Sequence, residues 1–147
     1  MNMNLSIKMI DKKPKKRWEV ATVKGQIKIG DFEEDLFSSL DWWSPDDYEY
    51  QWREGLSRLF NHEKSCFVVD INNPTSREFV EWWKLYKIDN RIYIRNSIII
   101  GDIYKEQIGD KPFNLETCYD FIPERGPLHD EEGNKVSEWV IDWDDKK

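Results

Sequence analysis

Cysteine and histidine are scarce in this chain, with two of each among 147 residues. Two cysteines are too few for the disulfide-dense scaffolds of small secreted domains. Neither histidine has a second histidine or a cysteine at ligand spacing, so the sequence carries no zinc-site pattern. The seven glycines are isolated, which excludes a glycine-rich phosphate loop. We therefore expect no cofactor and no metal site.

Long apolar runs are also missing. A run such as Ile98–Ile100 is far too short to span a bilayer. Near the N-terminus, apolar residues such as Leu5 and Ile7 alternate with polar ones, unlike the continuous apolar core of a signal peptide. From these patterns we expect a cytoplasmic protein without a membrane partner.

Aromatic residues, in contrast, are abundant, at 14% of the chain with eight tryptophans. A chain of this length buries roughly two-thirds of the surface that its unfolded form exposes, so it needs no disulfide or metal ion to hold a core. Most tryptophans stand beside other apolar residues, which favours core positions. One or two exposed tryptophans would be natural interface anchors, and the alternative is that several of them line a ligand pocket.

Charge is unevenly distributed along the sequence, whose net value is −7. Six basic residues and one acid precede Trp18, which leaves 16 basic and 28 acidic residues, or −12, for the rest. We predict a solvated basic arm over 1–17 and a single domain over 18–147. No aromatic residue is interleaved within Lys12–Arg17 to stack on bases, so we expect no direct nucleic-acid binding. An acidic body attracts cationic partners, although solubility alone also explains it.

Patterning predicts an α+β fold, mainly antiparallel β-sheet with one main amphipathic helix at about 45–60. Ser44 can cap the first helical turn, Pro45 fits the first helical position, and two aspartates follow near the positive end of the dipole. Apolar residues then recur at helical spacing on one face. They are Tyr48, Trp52, Leu56, Leu59 and Phe60.

The remaining segments mostly favour strands. Lys24-Gly25 is a turn signal that predicts a hairpin of 18–23 with 26–29, and the apolar spacing between 32 and 40 predicts a short helical turn. Phe79–Tyr86 also suits a helix, but the turn near Asp89 favours a hairpin there. The further predicted strands are 65–71, 82–88 paired with 91–99, 119–122, and 136–143, the last two of which could pair.

No catalytic constellation stands out. Cys66 and Cys118 lie in apolar contexts, which favours buried and unreactive thiols. Carboxylates are abundant, but an acid–base pair is diagnostic only through its spatial separation. We predict that the chain is not an enzyme. The alternative is a small acidic hydrolase or a ligand-binding domain with a tryptophan-lined pocket.

Four groups of packing residues carry a family pattern. They are Trp18 with Gly25 and Ile29–Phe32, then Tyr48–Trp52, then Trp82–Tyr86 with Ile92–Asn96, and finally Val136–Trp139. In these groups the chain resembles the immunity proteins of bacterial contact-dependent growth inhibition (CDI) systems. The resemblance implies a cytosolic protein that binds the C-terminal toxin domain delivered by a neighbouring cell, often a nuclease, and covers its active site or a nearby surface. It brings no catalytic residues.

An acidic stretch supplies the candidate contact surface. Residues 31–54 contain nine acids and one base, Arg53. Because nucleases must attract polyanions, their clefts are basic, and an acidic face would complement them and speed association. The alternative is that these acids serve helix capping and solubility, which is the favoured interpretation for Asp46 and Asp47. The predicted partner-binding residues are Asp31, Glu33, Glu34, Asp35, Asp46, Asp47, Glu49 and Trp43.

Overall fold

Two antiparallel sheets and one main helix form the part of the chain that this computed structural model describes, residues 4–17, 19–72 and 79–143. In chain order the elements are β1 (Leu5–Arg17), β2 (Val20–Ile29), β3 (Phe32–Ser39), α1 (Pro45–Arg58), β4 (Lys64–Ile71), β5 (Phe79–Ile88), β6 (Arg91–Ile100), α2 (Gly101–Gln107) and β7 (Trp139–Asp142). The first sheet has the order β1-β2-β3 and the second β4-β5-β6-β7. The predicted α+β class is confirmed.

The glycine at position 25 lies inside a strand rather than at a turn. The predicted hairpin of 18–23 with 26–29 is therefore wrong, because β2 runs unbroken through both segments. A Cβ on Gly25 would lie 2.9 Å from the Lys8 carbonyl oxygen and 3.1 Å from the Trp52 ring. The glycine thus permits close packing of the Trp52 indole on the sheet. The turn falls instead at Gly30, whose φ is +59°, and the helical turn predicted near 32–40 is strand β3.

The basic segment forms the edge strand β1. It pairs antiparallel with β2, so the solvated arm predicted for 1–17 is wrong for Leu5–Arg17. Leu5 is buried, and the pairing is irregular on either side of Asp11. Lysines, a proline and bulges discourage an edge strand from pairing with other chains. The edge position of β1 therefore accounts for its basic composition, which in sequence is like that of a solvated tail. Residues 1–3, Trp18, residues 73–78 and residues 144–147 lie outside the described residues.

Helix α1 confirms the predicted helix at about 45–60, ending at Arg58. Ser44 and Asp47 form the capping box: the Asp47 N–H donates to Ser44 Oγ at 3.1 Å, and the Ser44 N–H donates to Asp47 Oδ2 at 2.9 Å. The helix lies along the free edge of β4. Gln51 donates to the Cys66 carbonyl oxygen at 2.9 Å, and Trp52 Nε1 donates to the Val68 carbonyl oxygen at 2.8 Å.

The second sheet follows the sequence prediction closely. Strand β4 matches the predicted strand 65–71, and β5 with β6 matches the predicted hairpin of 82–88 with 91–99. The turn between them places Asp89 and Asn90 at φ of +50° and +65°. Aspartate and asparagine tolerate this left-handed region better than most residues, so the local sequence determines the turn.

The C-terminal part departs from the prediction. Residues 119–122 are not a strand, because Cys118–Phe121 form a 3-10 turn, and β7 pairs with β6 instead. The predicted strand 136–143 is shorter in the structure, where β7 begins at Trp139, directly after the ion-paired Glu138. Arg95 Nε lies 2.7 Å from Glu138 Oε2, and both side chains are 6% exposed. The Arg95 guanidinium also donates to the carbonyl oxygen of Arg125.

Three layers result from this arrangement. The first sheet packs on one face of the second through Phe32, which lies 4.7 Å from Trp139 and 6.4 Å from Trp83, centroid to centroid. The other face is covered by the segment after β6, where Phe113 packs against Trp82 at 5.8 Å. Buried residues of this covering segment include Tyr104, Ile108, Phe113, Cys118 and Ile122.

Candidate partner-binding surface

The first group of predicted acids lies on β3, where strand alternation divides it between two faces. Glu33 and Asp35 are exposed on the face opposite the core. Lys28 Nζ lies 3.7 Å from Glu33 Oε2, and Lys24 Nζ lies 3.4 Å from Asp35 Oδ2. Exposed ion pairs contribute little stability, but these two bring opposite charges together. This face therefore carries mixed charge rather than an acidic patch.

Glu34 lies on the other face of β3, on the side of the second sheet. There it lines an open cleft of about 530 Å³ together with Asp70 of β4 and Glu81 of β5. None of these three carboxylates forms an ion pair with another described residue. Arg17, at the same cleft, stacks instead on the Phe37 ring at 4.0 Å. Asp35, which pairs with Lys24, also lines the cleft, so its described lining has four acids against one cation, Arg17.

The titration of these carboxylates reflects their burial. Burial and the nearby Glu81 charge raise the pKa of Asp70 to about 6, against the opposing effect of the Ser39 N–H, which donates to Asp70 at 2.9 Å. Burial also raises the pKa of Glu81, and the hydrogen bond from the Asn96 side-chain amide partly offsets that rise. The pKa of Glu34 is raised by burial as well. Raised values mark carboxylates whose ionised form is poorly solvated. A cation entering the cleft would relieve that cost.

Sequence reasoning missed Asp70 and Glu81. Each is a single acid within a strand, and neighbouring residues carry no signal that distinguishes it from a solvated strand residue. The register of β4 on β5 makes them cross-strand partners, and the packing of the two sheets adds Glu34. Only that long-range arrangement creates the cluster.

The second group of predicted acids lies at the start of α1. Asp47 is engaged in the capping box, and Glu49 Oε1 lies 2.5 Å from Lys12 Nζ of β1. Asp46 is exposed in the first helical turn, and Asp31 is exposed in the turn between β2 and β3. The predicted residues therefore occupy several separate places, and a single continuous face of all eight is ruled out by their positions.

Trp43 is predicted from sequence as a partner-binding residue, but the structure places its side chain in the core. It is 5% exposed and packs edge-on against Tyr48, with ring centroids 5.3 Å apart. Its neighbour Trp42 is 45% exposed. Two adjacent tryptophans look alike in sequence, and only the approach of the chain to the first turn of α1 decides which of them enters the core.

The cysteines lie together in the core. Cys66 of β4 and Cys118 have their sulfur atoms 4.0 Å apart, and both residues are buried as free thiols. Burial raises the pKa of the Cys66 thiol well above its usual value, which disfavours the nucleophilic thiolate. Among the described residues, no group of three or more His, Cys, Asp or Glu side chains is placed to hold a metal ion.

None of the helices in the described part of the chain is both long and apolar enough to cross a membrane.

The model of the CdiI N-terminal domain family matches residues 38–146. The immunity protein CdiI of Enterobacter cloacae subsp. cloacae is 32% identical over 124 residues, which are 79% of this chain and 76% of that protein.

Structural comparison gives a similar result. The chain is similar to a chain of the solved CdiA-CT/CdiI toxin and immunity complex from Enterobacter cloacae, with a TM-score of 0.77 and 29% sequence identity. The likeness covers 94% of this chain and 90% of the other. It therefore includes both sheets and α1. By sequence and by fold, this chain belongs to the CdiI family of immunity proteins.

Proposed function

We propose that this chain neutralises a cognate CDI toxin domain, a nuclease, by binding it stoichiometrically in the cytosol. The observation that carries the proposal is the likeness, over nearly the whole chain, to a member of a toxin and immunity complex. Inhibition by binding needs a preformed surface and no chemistry. The well-packed sheets and capped helix are suited to that role, because a rigid surface loses little entropy on association.

The proposed nuclease activity of the toxin rests on charge. Nucleases attract polyanions and so present basic clefts, and this chain has a net charge of −7. The predicted acids best placed to meet a basic surface are those that neither cap the helix nor pair with a cation among the described residues, namely Asp31, Asp46 and Glu34. Glu33 and Asp35 contribute less, because Lys28 and Lys24 lie beside them. Complementary charge of this kind increases the association rate and selects partners.

The cleft between the sheets is the observation that favours the second candidate, a carboxylate-based hydrolase. Its lining includes four acids, one of them with a pKa of about 6, as a general acid or base would require. Its described lining includes Phe37 and Phe79 but no tryptophan. We propose that the chain is nonetheless not an enzyme, because an inhibitor of this family acts through binding. Hydrolysis by the wild type that Asp70→Asn abolishes would reverse this assignment.

Co-purification with the neighbouring toxin tests the leading proposal. If a large secreted protein is encoded beside this chain, its C-terminal domain is expressed with it, and the complex is examined by calorimetry and by degradation of RNA and DNA. We expect a 1:1 complex and loss of nuclease activity at equimolar ratio. An immunity protein from an unrelated CDI system serves as the control. A toxin domain that remains fully active in a saturating excess of this chain would refute the proposal.

A further inference from the structure

One face of α1 is left uncovered by the rest of the described chain. The inner face carries buried Tyr48, Gln51, Trp52 and Gly55. The outer face presents Asp46, Tyr50 and Glu54, spaced four residues apart and therefore stacked on one side of the helix. Tyr50 is 43% exposed, which leaves a large aromatic ring facing solvent between two carboxylates.

Tyr50 lies in a shallow depression between α1 and the turn near residue 115. Leu115 and Glu116 form one side of it, and Asp46, Asp47 and Glu49 form the other, together with Lys12 and Arg53. Tyr50 makes no hydrogen bond, ring contact or cation–π contact with another described residue. Its ring and hydroxyl are thus available to a partner, unlike the rings of Trp43 and Phe60, which pack against Tyr48 and Trp143.

The charge of this depression is negative and incompletely paired. Four carboxylates surround it against two cations. Lys12 is occupied by Glu49 at 2.5 Å, while neither Asp46 nor Glu116 forms an ion pair with a described residue. The Lys12–Glu49 contact is an intramolecular example of an ammonium group held in this depression. The three remaining carboxylates outnumber the remaining cation, Arg53, so the depression keeps a net negative charge for a second cation.

We propose that the Tyr50 depression docks a lysine or arginine side chain from the basic surface of the cognate toxin domain. This inference rests on the proposed function and names the surface that performs it. The aromatic ring would bind the cation through its π face, while the carboxylates of Asp46 and Glu116 would balance the positive charge of that cation. Tyrosine at a partly desolvated position is among the residues that contribute most strongly to interfaces.

Other exposed surfaces fit such a partner less well. Ile98, Ile100 and Ile103 are exposed near the end of β6, but they bring apolar area without a charge that identifies an occupant. The outer face of β3 carries acids already paired with lysines. The Tyr50 depression alone among these three combines an unoccupied aromatic ring with unpaired carboxylates.

Binding of the purified toxin domain to variants of the full chain tests the inference. We expect Tyr50→Ala to weaken binding roughly 10- to 100-fold, the range of a hot-spot residue, and Tyr50→Phe to retain most of the affinity because the ring is kept. Asp46→Lys should weaken binding and reduce its salt dependence. Glu132→Lys, a matched charge reversal at an exposed residue in the loop before β7, should bind like the wild type.

The outcomes separate this inference from the proposed function. Wild-type affinity in both Tyr50→Ala and Asp46→Lys, with the wild type itself binding the toxin, would overturn the docking site and leave the immunity function standing. A wild-type chain that does not bind the toxin domain would overturn both. Circular dichroism and thermal unfolding of each variant show whether it is folded. If Tyr50→Ala does not fold, Asp46→Lys compared with Glu132→Lys decides the question, because equal affinity of these two variants would overturn the docking site.

Discussion

Replacing Asp70 with asparagine should stabilise this protein at neutral pH and make its stability less dependent on pH. The Asp70 carboxyl has a folded-state pKa of about 6 against an ordinary value of 3.8. The folded protein therefore binds this proton more tightly than the unfolded chain does. The carboxylate destabilises the fold fully above pH 6, and the cost disappears as the pH falls below 4. Asparagine carries no charge and has the same shape, so it avoids the cost throughout.

The size of the effect follows from the pKa difference. Two pKa units correspond to a ceiling of about 3 kcal/mol at pH 7. Water entering the open cleft lowers that figure, and asparagine accepts more weakly from the Ser39 N–H that now donates to the carboxylate. We expect Asp70→Asn to raise the free energy of unfolding by about 1–2 kcal/mol at pH 7.5 and by much less at pH 4.

Urea unfolding of both proteins at pH 7.5 and pH 4 measures this difference directly. Glu33→Gln is the control, because Glu33 is an exposed acid on the opposite face of β3 and should change stability by less than about 0.5 kcal/mol at either pH. Equal stability of wild type and Asp70→Asn at pH 7.5, or a variant less stable there, would show that the cleft does not destabilise the ionised carboxyl.

Two further substitutions test the packing that supports the binding surface. Gly55→Ala should lower the free energy of unfolding by about 2–3 kcal/mol, because the added Cβ would overlap the Cys66 carbonyl oxygen. Alanine favours helices, so the exposed Ser57→Ala in the same helix should be neutral or slightly stabilising. The same urea titration measures both variants. Glu138→Ala should cost about 3–5 kcal/mol by leaving the Arg95 guanidinium buried without its carboxylate. Calorimetric unfolding would measure that loss, and a near-neutral result would contradict it.

Elements with strong local chemistry could be predicted from sequence. The Ser44-Pro45 start specified α1, and the Asp89-Asn90 turn specified the β5–β6 hairpin, because in both cases neighbouring residues supply the hydrogen bonds or backbone preferences. Gly25 was misread because its role is to admit the Trp52 ring, a contact with a residue 27 positions away. Residues 119–122 were misread for a related reason: Cys118 and Ile122 are buried against the second sheet, which a 3-10 turn allows as well as a strand.

The candidate site shows the same limit more sharply. Proximity in sequence grouped Glu33, Glu34 and Asp35 as one acidic face, but a strand points neighbouring side chains in opposite directions. Glu34 joins Asp70 in the cleft, whereas its two neighbours meet lysines of β2. From composition, the cations of residues 1–17 are predicted to form a solvated arm, yet Lys12 pairs with Glu49 on α1. What determines attraction to a basic partner is therefore the set of carboxylates left unpaired after folding, which net charge does not reveal.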